Sequence, residues 1–180
     1  MPDKEFGICV CGLNGSGKTT LAKLLSQKIN FSHFDVEDYY FDNASGVPYA
    51  LSRTREQVES LLMEDIRKYP KFIFSAVNGN FNEEITLTYK LVIYLSAPLD
   101  ERMNRIKQRA YDKFGDRVLK GGDMYEQEQK FFDHCAKRSD ESIAKWLETL
   151  SCPVLRLDGT NTVENNINII LSEIKNMGQN

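Results

Sequence analysis

Long apolar runs are missing from this chain. No stretch of its 180 residues approaches the ~18 consecutive apolar positions of a membrane-spanning helix. The charged start Met1-Pro2-Asp3-Lys4-Glu5 leads straight into a strand-like segment and leaves no room for the apolar centre of a secretory leader. A soluble, cytoplasmic protein is therefore expected. Soft-metal ligands are also scarce. The four cysteines, at 9, 11, 135 and 152, contain no C-x-x-C pair, and the two histidines, His33 and His134, stand far apart. Neither a zinc site nor a disulfide framework is expected. Cys9 and Cys11 fall two apart on one strand face, which suits buried, reduced thiols. Charge of a single sign is lacking as well: 23 Lys and Arg against 26 Asp and Glu leave a net charge of −3, so no whole-molecule field recruits nucleic acid or an acidic membrane.

What is present begins at Gly12-Leu13-Asn14-Gly15-Ser16-Gly17-Lys18-Thr19, which fits G-x-x-x-x-G-K-[ST] between the apolar run Phe6 to Cys11 and an amphipathic stretch. Glycines at this spacing let successive backbone N–H groups point into one concavity that suits phosphate. Leu21, Leu24, Leu25 and Ile29 follow at helical spacing, so the loop opens a helix whose dipole also favours an anion. Gly12, Asn14, Gly15, Ser16, Gly17, Lys18, Thr19 and Thr20 are the expected nucleotide-binding residues, with Lys18 at the β- and γ-phosphates and Thr19 on Mg²⁺.

The rest of the pattern alternates short apolar runs with longer helical ones, without repeats or linkers, and predicts a single α/β domain over residues 1–180 with a parallel sheet. Five strands are expected, at Phe6 to Cys11, Phe31 to Val36, Lys71 to Val77, Leu91 to Ser96 and Val154 to Leu157. Thr54-Arg55-Glu56-Gln57 has the form of a capping box before a helix that Pro70 stops. Helices are also expected from Pro98 to about Ala110, from about Met124 to Leu150 with a break near Ser139-Asp140, and from Val163 to Met177. The tail from Gly178 is expected to fray.

A phosphate loop specifies a nucleoside triphosphate but not its fate; the acidic partner decides that. The third strand ends in Asn78-Gly79-Asn80, with no acid and no D-x-x-G switch. The acids lie instead after the second strand, at Asp35, Glu37 and Asp38, where a strand end beside the loop faces the γ-phosphate. One carboxylate would hold Mg²⁺, for which Asp35 is the candidate, and another would orient or deprotonate the attacking group; the residues leave that division open. A second constellation is basic. Between residues 102 and 120, seven Lys and Arg oppose Asp112 and Asp116, an excess of five positive charges. Arg105 and Arg109 fall one helical turn apart, a spacing for holding a transferring phosphoryl group. Arg117 sits in the aperiodic stretch 111–122, whose glycines suit a lid that excludes water. Arg53 is a candidate contact for an anionic acceptor.

On these residues the chain resembles the P-loop kinases of the adenylate kinase, shikimate kinase and gluconate kinase group over nearly its whole length. Asp35-Val36-Glu37 is similar to the D-x-D of shikimate-type kinases, Arg105 to Arg109 to the R-x-x-x-R before their lid, and Arg117 to a lid arginine. Glu37-Asp38-Tyr39-Tyr40 also resembles the corresponding run of uridine kinase and nicotinamide riboside kinase relatives, which points to Glu37 or Asp38 as the catalytic carboxylate. The D-G-F-P-R run of nucleoside monophosphate kinases is replaced by Asn78-Gly79-Asn80-Phe81, and the Gly-rich triplet of shikimate kinases is missing there. The resemblance implies a three-layer fold with strand order 2-3-1-4-5, a small mobile lid, Mg²⁺ and ATP. The expected function is transfer of the γ-phosphate to a small-molecule acceptor, hydroxyl or phosphate. The alternatives are a nucleotide-binding regulatory or slowly hydrolysing protein without an acceptor, and, further off, phosphorylation of nucleic-acid ends.

Overall fold

Short apolar runs flanked by helices on both sides satisfy their backbone polar groups by pairing with one another. In the computed structural model, which describes residues 5–41 and 52–178, they form β1 (Phe6–Cys11), β2 (Ser32–Asp35), β3 (Lys71–Ala76), β4 (Tyr89–Ser96) and β5 (Val154–Asp158). All pairings are parallel, in the order β2-β3-β1-β4-β5. Both the strand count and the expected order hold. β1 is central, in register with β3 from Phe6 opposite Lys71 to Cys11 opposite Ala76. The loop after β1 therefore emerges between the carboxyl ends of β3 and β4. The charged residues 1–4 and the tail beyond Gly178, where fraying was expected, lie outside the described residues.

Period-two alternation sends the two faces of β1 into different cores. Ile8 and Val10 pack with Leu21, Ala22 and Leu25 of α1 (Lys18–Ile29) and with Ile167 and Ile170 of the C-terminal helix Val163–Met177. Cys9 and Cys11 face the other way, with Phe72 and Phe74, toward Val58, Leu62 and Ile66 of the helix Arg55–Lys68 and Trp146 of the helix Glu141–Leu147. The cysteines are free thiols, and burial pushes that of Cys11 up to about 12. Each large side chain buried here contributes about 2–3 kcal/mol.

In chain order the remaining helices are α2 (Val36–Tyr40), α3 (Arg55–Lys68), α4 (Glu83–Thr86), α5 (Leu99–Phe114), α6 (Tyr125–Lys137), α7 (Glu141–Leu147) and α8 (Val163–Met177). The capping box forms as the sequence indicates: Thr54 accepts from the Gln57 amide, and the Gln57 side chain accepts from the Thr54 amide. Most strands differ from expectation by a residue or two at one end or both, β4 beginning at Tyr89 rather than Leu91, and three boundaries differ for a visible reason. β2 stops at Asp35 because that carboxylate caps α2, accepting the Glu37 N–H at 3.2 Å. α5 runs on to Phe114, into the stretch expected to be aperiodic, and ends where Gly115 takes φ 60°. The helix expected over 124–150 is two, α6 and α7, parted at Arg138–Asp140 close to the expected break. The single turn α4, capped by Asn82, was not foreseen. Ile106 and Ala110 of α5 pack on Phe132 and Cys135 of α6, with Val118 between, so α5 and α6 form an arm with its own small core. Among the described residues, no helix is long and apolar enough to cross a membrane.

Candidate active site

The loop between β1 and α1 is shaped by where glycine alone is comfortable. Gly15 has φ 82° and Gly17, which caps α1, φ 98°. A Cβ on Gly15 would stand 2.4 Å from the Arg102 carbonyl oxygen, so α5 is pressed directly against the loop. Among the described residues, the N–H groups of Gly15, Gly17, Lys18, Thr19 and Thr20 have no protein acceptor. The Ser16 hydroxyl is buried without a partner. Among the described residues the Lys18 ammonium makes no ion pair; desolvation lowers its pKa, Asp35 and Glu37 oppose that shift, and Arg109 and Arg138 add to it. Unpaired donors gathered at a helix N-terminus suit the oxygens of a polyphosphate.

Thr19 Oγ1 donates to Asp35 Oδ2 at 3.0 Å, joining the loop hydroxyl to the end of β2. The other oxygen of the same carboxylate caps α2. Hydroxyl and carboxylate together are the hard oxygen donors that Mg²⁺ favours. The donor set therefore fits both triphosphate and cation. β3 ends in Ser75 and Ala76 without a carboxylate, and Ser75 Oγ instead meets His33 Nε2 at 3.0 Å.

Beyond Asp35, α2 carries Glu37 and Asp38 to the wall of a cavity of about 870 Å³, whose opposite wall is the arm. Arg109, Lys113, Phe114 and Phe131 line that wall. Arg109 makes no hydrogen bond or ion pair among the described residues, so its guanidinium is available to an anion. The cavity volume falls in the ~300–1,000 Å³ range of small-molecule sites.

The other arginines are distributed differently from the expectation. Arg105, expected beside Arg109 as half of a pair, turns back to the loop, donating from Nη1 to the carbonyls of Gly15 (3.4 Å) and Ser16 (3.3 Å) and from Nη2 to that of Gly159 (3.0 Å). The cause is the close contact of the start of α5 with the loop, which its later turns leave behind. Arg117 makes two hydrogen bonds to Asp123, 2.9 and 2.8 Å, in the exposed bend between α5 and α6, and does not line the cavity. Arg53 ties down the end of α2, with Nη1 donating to the Tyr39 carbonyl at 3.1 Å and its N–H to that of Tyr40 at 2.7 Å. Two residues escaped the sequence reading. Arg102 is 6% exposed and donates to the Asn14 carbonyl at 3.2 Å. Arg138, in the break between α6 and α7, reaches the Asn14 side-chain oxygen at 3.4 Å and lies within electrostatic range of Lys18. Only the excess of arginine in this half of the chain hinted at either.

A parallel 2-3-1-4-5 sheet with a glycine-rich phosphate loop after its central strand and an acid at the end of the edge strand β2, which β3 separates from β1, defines a P-loop nucleotide-binding domain of the small-kinase type. The chain belongs to the AAA domain family (AAA_18), which matches residues 8–129, and within the P-loop proteins it falls with the small kinases of the shikimate, gluconate and adenylate kinase group. It is 27% identical over 172 residues to the uncharacterised protein YqaC of Bacillus subtilis (strain 168), spanning 91% of this chain and 94% of that protein. A shikimate kinase of Enterococcus faecalis is 25% identical over 165 residues, 83% of this chain and 96% of that enzyme. With the shikimate kinase of Synechococcus elongatus the match, 29% identical, spans 53% of this chain and 55% of that enzyme. The crystal structure of shikimate kinase from Aquifex aeolicus vf5 shares the fold, with a TM-score of 0.55 at 17% identity, over 96% of this chain and 98% of that one.

Proposed function

We propose that this protein transfers the γ-phosphoryl group of ATP to a small-molecule acceptor, a hydroxyl or a phosphate, in the cytoplasm. The observation that carries the reading is the Thr19–Asp35 hydrogen bond, which sets a carboxylate of the acceptor side against the phosphate loop. Family membership and the shikimate kinase relatives support phosphotransfer in general; the acceptor has to come from the cavity beside Asp38.

In this reading the loop amides of Gly15 and of Gly17 to Thr20, with the Lys18 ammonium, bind the triphosphate. Thr19 and Asp35 hold Mg²⁺, which when bound neutralises charge on the transferring group. Glu37 or Asp38, on the cavity wall, accepts the proton of an acceptor hydroxyl or orients it. Arg109, without a partner among the described residues, stabilises charge on the phosphoryl group as it moves. The arm carrying Arg109 closes toward α2 and keeps water out, and in doing so brings Arg117 nearer the site.

ADP release measured over a panel of hydroxylated and phosphorylated metabolites tests the proposal. Acceptor-stimulated turnover that Lys18→Ala abolishes is the expected result, and Glu37→Gln against Asp38→Asn then locates the base. ATP binding without stimulation by any acceptor would sink the kinase reading and favour a regulatory or slowly hydrolysing protein.

A further inference from the structure

We infer that Arg102 is a positioning residue for nucleotide binding: from α5 it holds the Asn14–Gly15 peptide so that the Gly15 N–H is turned into the phosphate concavity. The inference rests on the nucleotide-binding half of the function proposed above and does not depend on the acceptor.

In a trans peptide the C=O and N–H point in opposite directions, and every described peptide here is trans. A donor that fixes a carbonyl on one side of the loop therefore fixes the following N–H on the other. Arg102 takes the Asn14 carbonyl and Arg105 those of Gly15 and Ser16, so three consecutive carbonyls face α5. Of the three N–H groups that follow, that of Ser16 closes a local turn onto the Leu13 carbonyl at 3.1 Å. Those of Gly15 and Gly17 have no acceptor among the described residues and lie opposite the arginines, open to a ligand. Glycine-rich segments lose the most freedom on ordering, so a loop without these contacts would have to be ordered by the nucleotide itself, at the expense of affinity.

Arg102 is the member of the set that requires an explanation. A buried arginine is costly unless its charge is used. At 6% exposure it makes no ion pair among the described residues, and its one side-chain hydrogen bond goes to the loop. The same residue's backbone abuts Gly15, so its position relative to the loop is fixed by packing as well as by the hydrogen bond. Asn14 is held from a second side by Arg138 through its amide oxygen. The cation at 102 thus faces the back of the loop, where it cannot touch phosphate, while Arg109, two turns further along α5, faces the cavity.

Calorimetric titration with ADP of the wild type, Arg102→Met and Arg102→Lys, together with amide hydrogen exchange by NMR, tests this. Arg102→Met should weaken ADP at least about tenfold, the loss of one charge-assisted hydrogen bond, and Arg102→Lys, which keeps a donor in place, should recover to within about threefold of the wild type. In the ADP complex, where a phosphate accepts from them, exchange at Gly15 and Gly17 should quicken in Arg102→Met while Ile8 to Val10 of β1 stay protected. ADP affinity equal to wild type in Arg102→Met overturns the inference. So does a loss that Arg102→Lys fails to recover and that comes with faster exchange throughout β1, the mark of a merely structural residue. If Arg102→Met does not fold, Arg102→Gln, whose shorter side chain withdraws the donor from the Asn14 carbonyl, takes its place: ADP weakened about tenfold with faster exchange confined to Gly15 and Gly17 supports the role, and wild-type affinity and exchange overturn it. A protein that binds ADP but phosphorylates nothing would refute the kinase reading and leave this result standing.

Discussion

Asp35 is the residue at which fold and proposed chemistry can be separated by one atom. Its Oδ2 accepts from Thr19 Oγ1 at 3.0 Å, and its Oδ1 caps α2 through the Glu37 N–H at 3.2 Å. Replacement by alanine removes both. The lost cap costs about 1 kcal/mol, and the lost hydrogen bond to a partly buried carboxylate about 1–1.5 kcal/mol, so Asp35→Ala should be destabilised by about 2–2.5 kcal/mol. Asparagine caps helices as well as aspartate does and can still accept from Thr19, so Asp35→Asn should fold within about 0.5 kcal/mol of wild type. Its charge, however, is gone. If that carboxylate holds Mg²⁺ at the loop, turnover should fall at least about 100-fold, equivalent to about 2.7 kcal/mol of transition-state stabilisation. Urea unfolding followed through the fluorescence of Trp146, the single tryptophan, supplies the first pair of numbers, and coupled ADP release the second. Asp35→Asn turnover within about threefold of wild type would refute the metal-holding role. Equal stability of the Asn and Ala variants would refute the capping account.

Lys18→Met should abolish turnover yet raise the melting temperature of the nucleotide-free protein. Desolvation holds the Lys18 pKa below its unfolded value, so between those two values the unfolded chain binds more protons, and keeping the charge in the fold is unfavourable at neutral pH. For the same reason wild-type affinity for ATP should fall with rising pH through a midpoint below the ordinary lysine value, which calorimetry across the alkaline range would detect. Arg109→Ala should lower turnover by about 100-fold with an unchanged melting temperature, since the side chain has no hydrogen bond or ion pair among the described residues; a loss confined to stability would remove it from the chemistry. Phe74→Ala, at a ring fully buried against Phe34, Phe72 and Tyr89, should cost about 3–5 kcal/mol in urea.

The parts of the molecule legible in the sequence are those set by near neighbours. Phe6 to Cys11 became β1 residue for residue, and Thr54 with Gln57 closed the capping box, because each depends on side-chain alternation or a three-residue spacing. The loop motif carried its own meaning, and the acids after β2 were found beside it. What the sequence could not convey depends on distant pairing. Asn14 meets Arg102 and Arg138 across 88 and 124 residues, and an arginine on a helix reads as a solvated charge until the surface facing it is known. Arg105 and Arg109 are equivalent by spacing; only the approach of α5 to Gly15 separates them, sending one guanidinium to the loop carbonyls and leaving the other at the cavity. Likewise Val36 continues an apolar strand pattern, but the Asp35 cap turns it into the first residue of α2.

The central claim is transfer rather than hydrolysis, and ATP labelled with ¹⁸O in the γ-phosphate distinguishes them. Incubated with the protein and a small-molecule extract of cells and read by mass spectrometry, the label should appear in a new phosphorylated compound, in amounts matching the ADP formed, and should vanish from it in Lys18→Ala and Asp35→Asn. Label found in inorganic phosphate alone, with nucleotide binding intact, would contradict the account.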